Sequence, residues 1–421
     1  MSEIQVANLW FESSKSTGIV GGVSTNTYTI RAGGVDQLII NSTAAVINNI
    51  STATVSSSIS VGSNVTVNTS TIFIGNSTVN STINSTSHAV NGNNLSPFNF
   101  RNKLINGYIY FDQRNSGANT TLSTNNNVYT VDRWWGQVAA NTTGCVAFRT
   151  ADFPTGYQYA LRVQRTSGNT GTSAITVGQV IESTNCVDLQ GQKVTLSFWA
   201  KAGANLSNTT IGVVVRSGTT ADEGMAKYAN STWAGVNNDI NTTQAITTTW
   251  TRYTVTSAAA LGTSILELGV SFTFTPTGTA GVNDWFEITG VQLEAGSVAT
   301  PFEVRLVTVE LALCQRYFQI IQLTSWIRGT GGVSGDGNSV VNYFNIPIKM
   351  RVTPTLTDDS TAAAYYSAGA VWVTSGSTSS KAVGGDILTM GVTNAAIGSG
   401  TNFIWRWNST GISTAFLNSE L

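Results

Sequence analysis

Between Phe98 and Arg305 short apolar and aromatic runs alternate with clusters of Gly, Asn, Ser and Thr. Val194-Thr195-Leu196-Ser197-Phe198-Trp199 reads as a strand, as do Ile211 to Val215, Thr251 to Val255, Leu266 to Phe274 and Trp285 to Leu293. Strands at this spacing, with no helical pattern between them, predict a sandwich or jelly roll of roughly 200 residues. The first helical pattern is Val309-Glu310-Leu311-Ala312-Leu313-Cys314-Gln315-Arg316-Tyr317-Phe318, which combines good helix formers with an apolar face. Trp326 to Leu421 then returns to strands and Gly-Ser-Thr loops, predicting a smaller terminal β domain.

The pattern before Phe98 is different. From Gln37 to Phe100 there is no Lys, Arg, Asp or Glu, and Asn, Ser, Thr, Val and Ile fill the gap. Disordered segments are usually charged and poor in β-branched residues. Here Ile72, Phe73, Ile74, Val79 and Ile83 recur in a Thr-rich background, which favours extended chain. Asn, Ser and Thr compete for backbone hydrogen bonds and disfavour a helix. The triplets Asn76-Ser77-Thr78, Asn80-Ser81-Thr82 and Asn84-Ser85-Thr86 are separated by the single residues Val79 and Ile83. That period fits neither strand alternation nor a helix, whereas Val61, Val65 and Val67 come closer to strand spacing. The expectation is of short strands and turns wound against identical copies, the stalk of a fibrous oligomer. A low-complexity linker and N-glycosylation at Asn-x-Ser/Thr are the other readings.

Composition narrows the function. The 421 residues allow two or three domains, and 41 Gly, 6 Pro and 11 Trp suit a turn-rich, aromatic-rich β chain. The net charge of −1, without a basic run, leaves no nucleic-acid footprint. No run approaches the roughly 20 apolar residues of a membrane span. Met1-Ser2-Glu3-Ile4-Gln5 has neither the basic nor the apolar region of a secretory signal. This combination suits a virion component made in the cytoplasm and released by lysis. Cys145, Cys186 and Cys314 lack paired spacing and read as reduced and buried, with a Cys145–Cys186 disulfide as the alternative.

Chemistry offers little to catalysis. The one histidine, His88, lies in the stalk without a neighbouring acid or Cys, so neither a nucleophilic triad nor a zinc site is expected, and no cofactor. Asp222-Glu223, Asp239, Glu267 and Asp358-Asp359 could serve a glycan-cleaving enzyme, but nothing in their spacing pairs them. Gly329 to Gly337 lacks the Lys-Ser/Thr of a phosphate loop and reads as a hairpin loop.

Several ordered motifs resemble a module of bacteriophage tail-fibre and appendage proteins. They open with Leu104-Ile105-Asn106-Gly107, Asp112-Gln113-Arg114-Asn115-Ser116-Gly117 and Tyr129-Thr130-Val131-Asp132-Arg133-Trp134. Val194 to Lys201 resembles the module's central strand. Its ending is similar to Ile288-Thr289-Gly290-Val291-Gln292-Leu293-Glu294-Ala295-Gly296, Ala299-Thr300-Pro301-Phe302-Glu303 and Glu310 to Phe318. The resemblance covers residues 104–318, about half of the chain. Asn345 to Thr355 also resembles a strand common in the distal domains of such fibres. The resemblance implies a jelly roll similar to carbohydrate-binding modules, borne on homotrimeric fibres. Asp112, Arg114, Asp132 and Arg133 are read as paired side chains fixing the first loops, with a sugar-binding cluster as the alternative.

The resulting expectation is an all-β trimeric fibre in five parts. Residues 1–36, with Trp10 and Phe11, would anchor the chain to a phage head, neck or tail protein. Residues 37–97 would form the β stalk, 98–305 the jelly roll, 306–318 one short connecting helix and 319–421 a β-sandwich tip. Host-surface polysaccharide is the expected partner, with no nucleic acid and no membrane insertion. A sugar stacks its C–H face on an aromatic ring while its hydroxyls take directed hydrogen bonds. Tyr228 and Trp233, with Asn237 and Asp239, fit that need within a long polar segment. Trp326, Trp372 and Trp405 are the candidates of the tip, whereas Trp199 and Trp285 read as core.

Overall fold

The computed structural model describes residues 8–10, 18–22, 27–32, 35–36, 71–75, 80–84, 88–90, 93–94, 100–140, 144–323, 332–333, 339–358, 362–366, 371–374, 380–384, 387–393, 403–407 and 413–420. The chain divides into two compact units, residues 1–68 and 69–421. The division falls within the segment expected to be a single stalk. In the first unit, Asn8–Trp10, Gly18–Gly22, Thr27–Ala32 and Val35–Asp36 form an antiparallel meander, so the segment expected to be an anchor contains a sheet. Near the start of the second unit, Thr71–Gly75, Asn80–Asn84, His88–Val90 and Asn93–Asn94 form another. There Ile72 pairs with Ile83 and Ile83 with His88, so the repeat pairs with itself along one chain.

The jelly roll is built from twelve strands: β1 (Thr120–Leu122), β2 (Val128–Val131), β3 (Trp134–Val138), β4 (Cys145–Thr150), β5 (Ala160–Arg165), β6 (Ile175–Ile181), β7 (Val194–Ala202), β8 (Thr210–Gly218), β9 (Asn237–Ala245), β10 (Thr251–Thr256), β11 (Glu267–Phe274) and β12 (Trp285–Ala295). They form two six-stranded antiparallel sheets, β2-β3-β6-β11-β8-β9 and β10-β7-β12-β5-β4-β1. All five strands expected from the sequence are present. Alternation explains the core. Val194, Leu196, Phe198 and Ala200 of β7 face inward, as do Val213 and Val215 of β8 and Val270 and Phe272 of β11. Thr195, Ser197, Trp199 and Lys201 therefore lie on the outer face of the second sheet.

Helix α1 (Met225–Ala229), which the sequence does not announce, lies between β8 and β9. Helix α2 (Val307–Gln315) begins two residues before the expected helix. It leads into β13 (Phe318–Leu323), which pairs with the last strand β15 (Ser413–Asn418), itself paired with β14 (Thr355–Asp358). The other tip strands form one four-stranded and one three-stranded sheet. Within the Gly-rich run expected to be a hairpin loop, Gly332–Val333 is a short strand paired with Val340 and Val341, and the rest of the run lies outside the described residues.

Charged residues of the opening motifs tie the jelly roll to the chain's end. Arg133 is only 2% exposed; its guanidinium pairs with Glu420, donates to the Val180 carbonyl and lies 3.5 Å from the centre of the Tyr317 ring. Arg114 also reaches Glu420, at 3.0 Å, and stacks over Phe318. Asp112 accepts the backbone N–H groups of Asn115 and Gly117, while Asp132 accepts both the backbone and the side chain of Gln113. Burial raises Asp132 to about 6 despite those bonds. The structural reading of this set holds, with one change: the arginines pair with Glu420 instead of the neighbouring aspartates. The cysteines are free and buried, as the sequence implied.

Candidate functional site

The outer faces of the two sheets differ. On the first sheet Gly178 and Gly269 leave room for rings to lie against the backbone. A Cβ at Gly178 would meet the Trp135 ring at 2.8 Å, and one at Gly269 the Tyr228 ring at 2.6 Å. Tyr228 and Trp233 fold down from the β8–β9 segment onto this face and, with Trp135 and Val180, form a second apolar cluster. Tyr228 is 1% exposed and donates to Ser271 Oγ; Trp233 is 2% exposed and donates its indole N–H to the Gly224 carbonyl. The expectation that these two rings offer an open stacking face is therefore corrected. They are core, because the polar segment that carries them covers the sheet.

Of the other sequence candidates, Asn237 is exposed at the start of β9 and donates to Asp239 Oδ1 at 2.7 Å. Trp372 and Trp405 lie in the strands Val371–Thr374 and Phe403–Trp407, and Trp10 in Asn8–Trp10. Trp326 and Phe11 lie outside the described residues.

The second sheet presents its outer face as transverse rows. One row reads Phe148, Arg162, Glu287, Lys201 across β4, β5, β12 and β7. Beside it, Trp285 pairs with Gln164 across β12 and β5. At the far end of the sheet, residues 296–303 strap the face down. Gln292 donates to Glu294 and Thr300, and Arg252 donates to Ser197 and the Thr300 carbonyl. Tyr157 packs there on Trp199 and Phe302. The near half keeps partly exposed polar groups around two tryptophans.

Three ionic groups converge in that half. Glu287 is fully buried and accepts from Arg162 Nε and Nη2 at 2.8 and 2.7 Å, while its Oε2 has no hydrogen-bond partner. Asp152, from the β4–β5 loop, accepts Lys201 Nζ at 2.5 Å and the Trp250 indole N–H at 3.0 Å, with Arg162 Nη2 at 3.9 Å. Arg162 lies 4.1 Å from the Trp285 ring centre and Lys201 5.8 Å. Burial pushes Glu287 up to about 7, although Arg162 pulls it back. Burial also acts on Asp152, but the bonds from Lys201 and Trp250 outweigh it and hold this carboxyl below its ordinary value.

Such a surface can bind a hydroxyl-rich ligand. Trp250, which is half-buried, supplies a face for C–H stacking, and the partly exposed Asp152, Arg162 and Lys201 supply an acceptor and donors with fixed directions, while buried Trp285 and Glu287 support them from below. The signal was present in the strand alternation. In Trp285-Phe286-Glu287-Ile288 the core takes Phe286 and Ile288, which turns Trp285 and Glu287 outward. Among the described residues no group of acidic, His and Cys side chains is arranged to hold a metal.

The two packed six-stranded antiparallel sheets define an all-β protein built on a jelly roll. No family model matches the sequence, and no curated protein matches it. Among solved structures it is similar to the enzymatically active domain of bacteriophage CBA120 tailspike protein 4, with 13% identity and a TM-score of 0.29 over 48% of this chain. The match spans 22% of that tailspike chain. It is also similar to a carbohydrate-binding module, CBM61, solved in complex with a β-1,4-galactotriose, with 12% identity and a TM-score of 0.27 over 47% of this chain and 99% of that one. A third likeness is to a C-terminal family 22 carbohydrate-binding module of Clostridium thermocellum, with 15% identity and a TM-score of 0.25 over 46% of this chain and 98% of that one. At these TM-scores the likenesses carry no functional argument.

Proposed function

We propose that this chain is a subunit of a bacteriophage fibre, a virion component made in the host cytoplasm, that binds host-surface glycan without cleaving it. The observation that carries the binding reading is the open half of the second sheet, where Trp250 and Trp285 flank Asp152, Arg162, Lys201 and Glu287. The fibre reading draws on the charge-free stretch and on the module motifs. Its virion attachment runs through residues 1–36 to a head, neck or tail protein.

Self-association as a homotrimer has support in exposed apolar side chains where the chain enters and leaves the jelly roll. Phe100 is 49% exposed and Val304 and Leu306 are each 75% exposed, with the Arg305 guanidinium 5.2 Å from the Phe100 ring. In this reading they meet other copies. Three shallow sites per fibre then raise the effective concentration enough for adhesion.

The test is retention of purified protein on host polysaccharide, with the size of the polysaccharide followed in parallel. Retention that falls at least about tenfold in Trp250→Ala, with unchanged polysaccharide length, supports the reading; losing one stacked ring and its hydrogen bond is worth about that much. Shortened polysaccharide would instead identify a depolymerase. Full retention of folded Trp250→Ala would refute the site. Light scattering that finds a monomer would refute the trimer.

A further inference from the structure

We propose that the open half of the second sheet selects glycans that carry a carboxylate, and that Asp152 fills the ligand carboxylate's place in the free protein. The inference rests on the carbohydrate-binding reading and names its ligand class. Asp152 is attached to no strand. It hangs from the β4–β5 loop, whose neighbours Ala151, Phe153 and Thr155 are exposed, and its side chain is 33% exposed. Yet its two oxygens take donors from two other elements: Lys201 of β7 at 2.5 Å and the Trp250 indole of the β9–β10 loop at 3.0 Å. Arg162 of β5 stands 3.9 Å away.

One ammonium and an indole N–H aimed at one carboxylate, with the Glu287-bound Arg162 guanidinium 3.9 Å away, form a slot for that group, because charge-assisted bonds are the shorter and stronger kind. Trp285 lies buried beneath both cations and holds them in place, and the half-buried Trp250 ring borders the slot, where a sugar attached to the carboxylate would stack. When the Asp152 side chain rotates out, the same donors meet the ligand's acid.

The groups facing the slot are Asp152, Arg162, Lys201 and Glu287. Arg252, one row along, is committed to Ser197 and the Thr300 carbonyl. Glu287 is the one other acid, and its free Oε2 leaves it ready to carry a proton. Exposure of the cations makes the binding weaken with salt.

The experiment measures binding of the full chain to polygalacturonate and to polysialic acid, each beside its carboxyl-methylated form. The expected result is binding to at least one acid polymer, weakened about tenfold or more by methylation, since a charge-assisted bond is lost. Asp152→Asn, which removes the competing charge, binds the acid polymer tighter, and Lys201→Gln binds it more weakly at unchanged melting temperature. Equal binding of acid and methylated forms, or tighter binding that is absent in Asp152→Asn, overturns the inference. So does failure of both acid polymers to bind. If Trp250→Ala still lowers retention on host polysaccharide in those cases, glycan binding stands and only its acidic class falls.

Discussion

Glu420, one residue from the end of the chain, is predicted to hold the tip against the jelly roll. Replacing it with Ala leaves the Arg133 guanidinium, 2% exposed, without its anion. Breaking one side of a buried pair costs about 3–5 kcal/mol, because the surviving charge stays desolvated. Arg133 keeps the Val180 carbonyl and the Tyr317 ring, and Arg114, 14% exposed, regains some water, which places the loss near the lower figure. A loss of about 3 kcal/mol lowers the melting temperature of a unit this large by roughly 5–10 °C. Urea unfolding and calorimetry of Glu420→Ala measure both quantities. Arg133→Met with Glu420→Leu removes both charges and recovers most of the loss, which separates the pair from lost packing. A Glu420→Ala protein within about 0.5 kcal/mol of the parent, the range of ordinary surface substitutions, would refute the latch.

Other consequences follow from buried groups. Glu267 is buried beside Glu223, and burial raises it to about 8, so the fold binds a proton that the unfolded chain releases near its ordinary value of 4.5. Its stability contribution is therefore complete below that value and declines as pH rises toward about 8; Glu267→Gln flattens the decline in a pH series of urea midpoints, and an unchanged slope would contradict this. Gly269→Ala drives a Cβ into the Tyr228 ring and costs about 1–3 kcal/mol, read by the same unfolding assay. Cys145 and Cys186 are pushed up to about 11 and about 12 by burial, so a thiol reagent at neutral pH labels them only after unfolding.

Much of the β architecture was legible in local pattern. The strands around Val194, Ile211, Thr251, Leu266 and Trp285 follow from alternation and turn residues, since a half-buried strand must place every second side chain in the core. The site is less legible, because alternation marks a strand without showing which side chains of its outer face are covered. Trp285 is 8% exposed, as its place in a core-like strand implies, whereas Trp199 on the same face is half-buried against Tyr157. Tyr228 and Trp233 show where local composition fails. Their polar surroundings suggest exposure, but Gly269 opens space for the Tyr228 ring, and that glycine is distant in sequence. The pairing of Arg133 with Glu420 spans most of the chain and leaves no local trace.

The most direct measurement is fluorine NMR of the full chain labelled with fluorotryptophan, titrated with oligosaccharides from host-surface glycan. The glycan-binding account predicts that the resonances of Trp250 and Trp285, assigned by single substitution, shift on binding while those of Trp135 and Trp233 stay fixed. Movement of the Trp233 signal with Trp250 and Trp285 unchanged would contradict it.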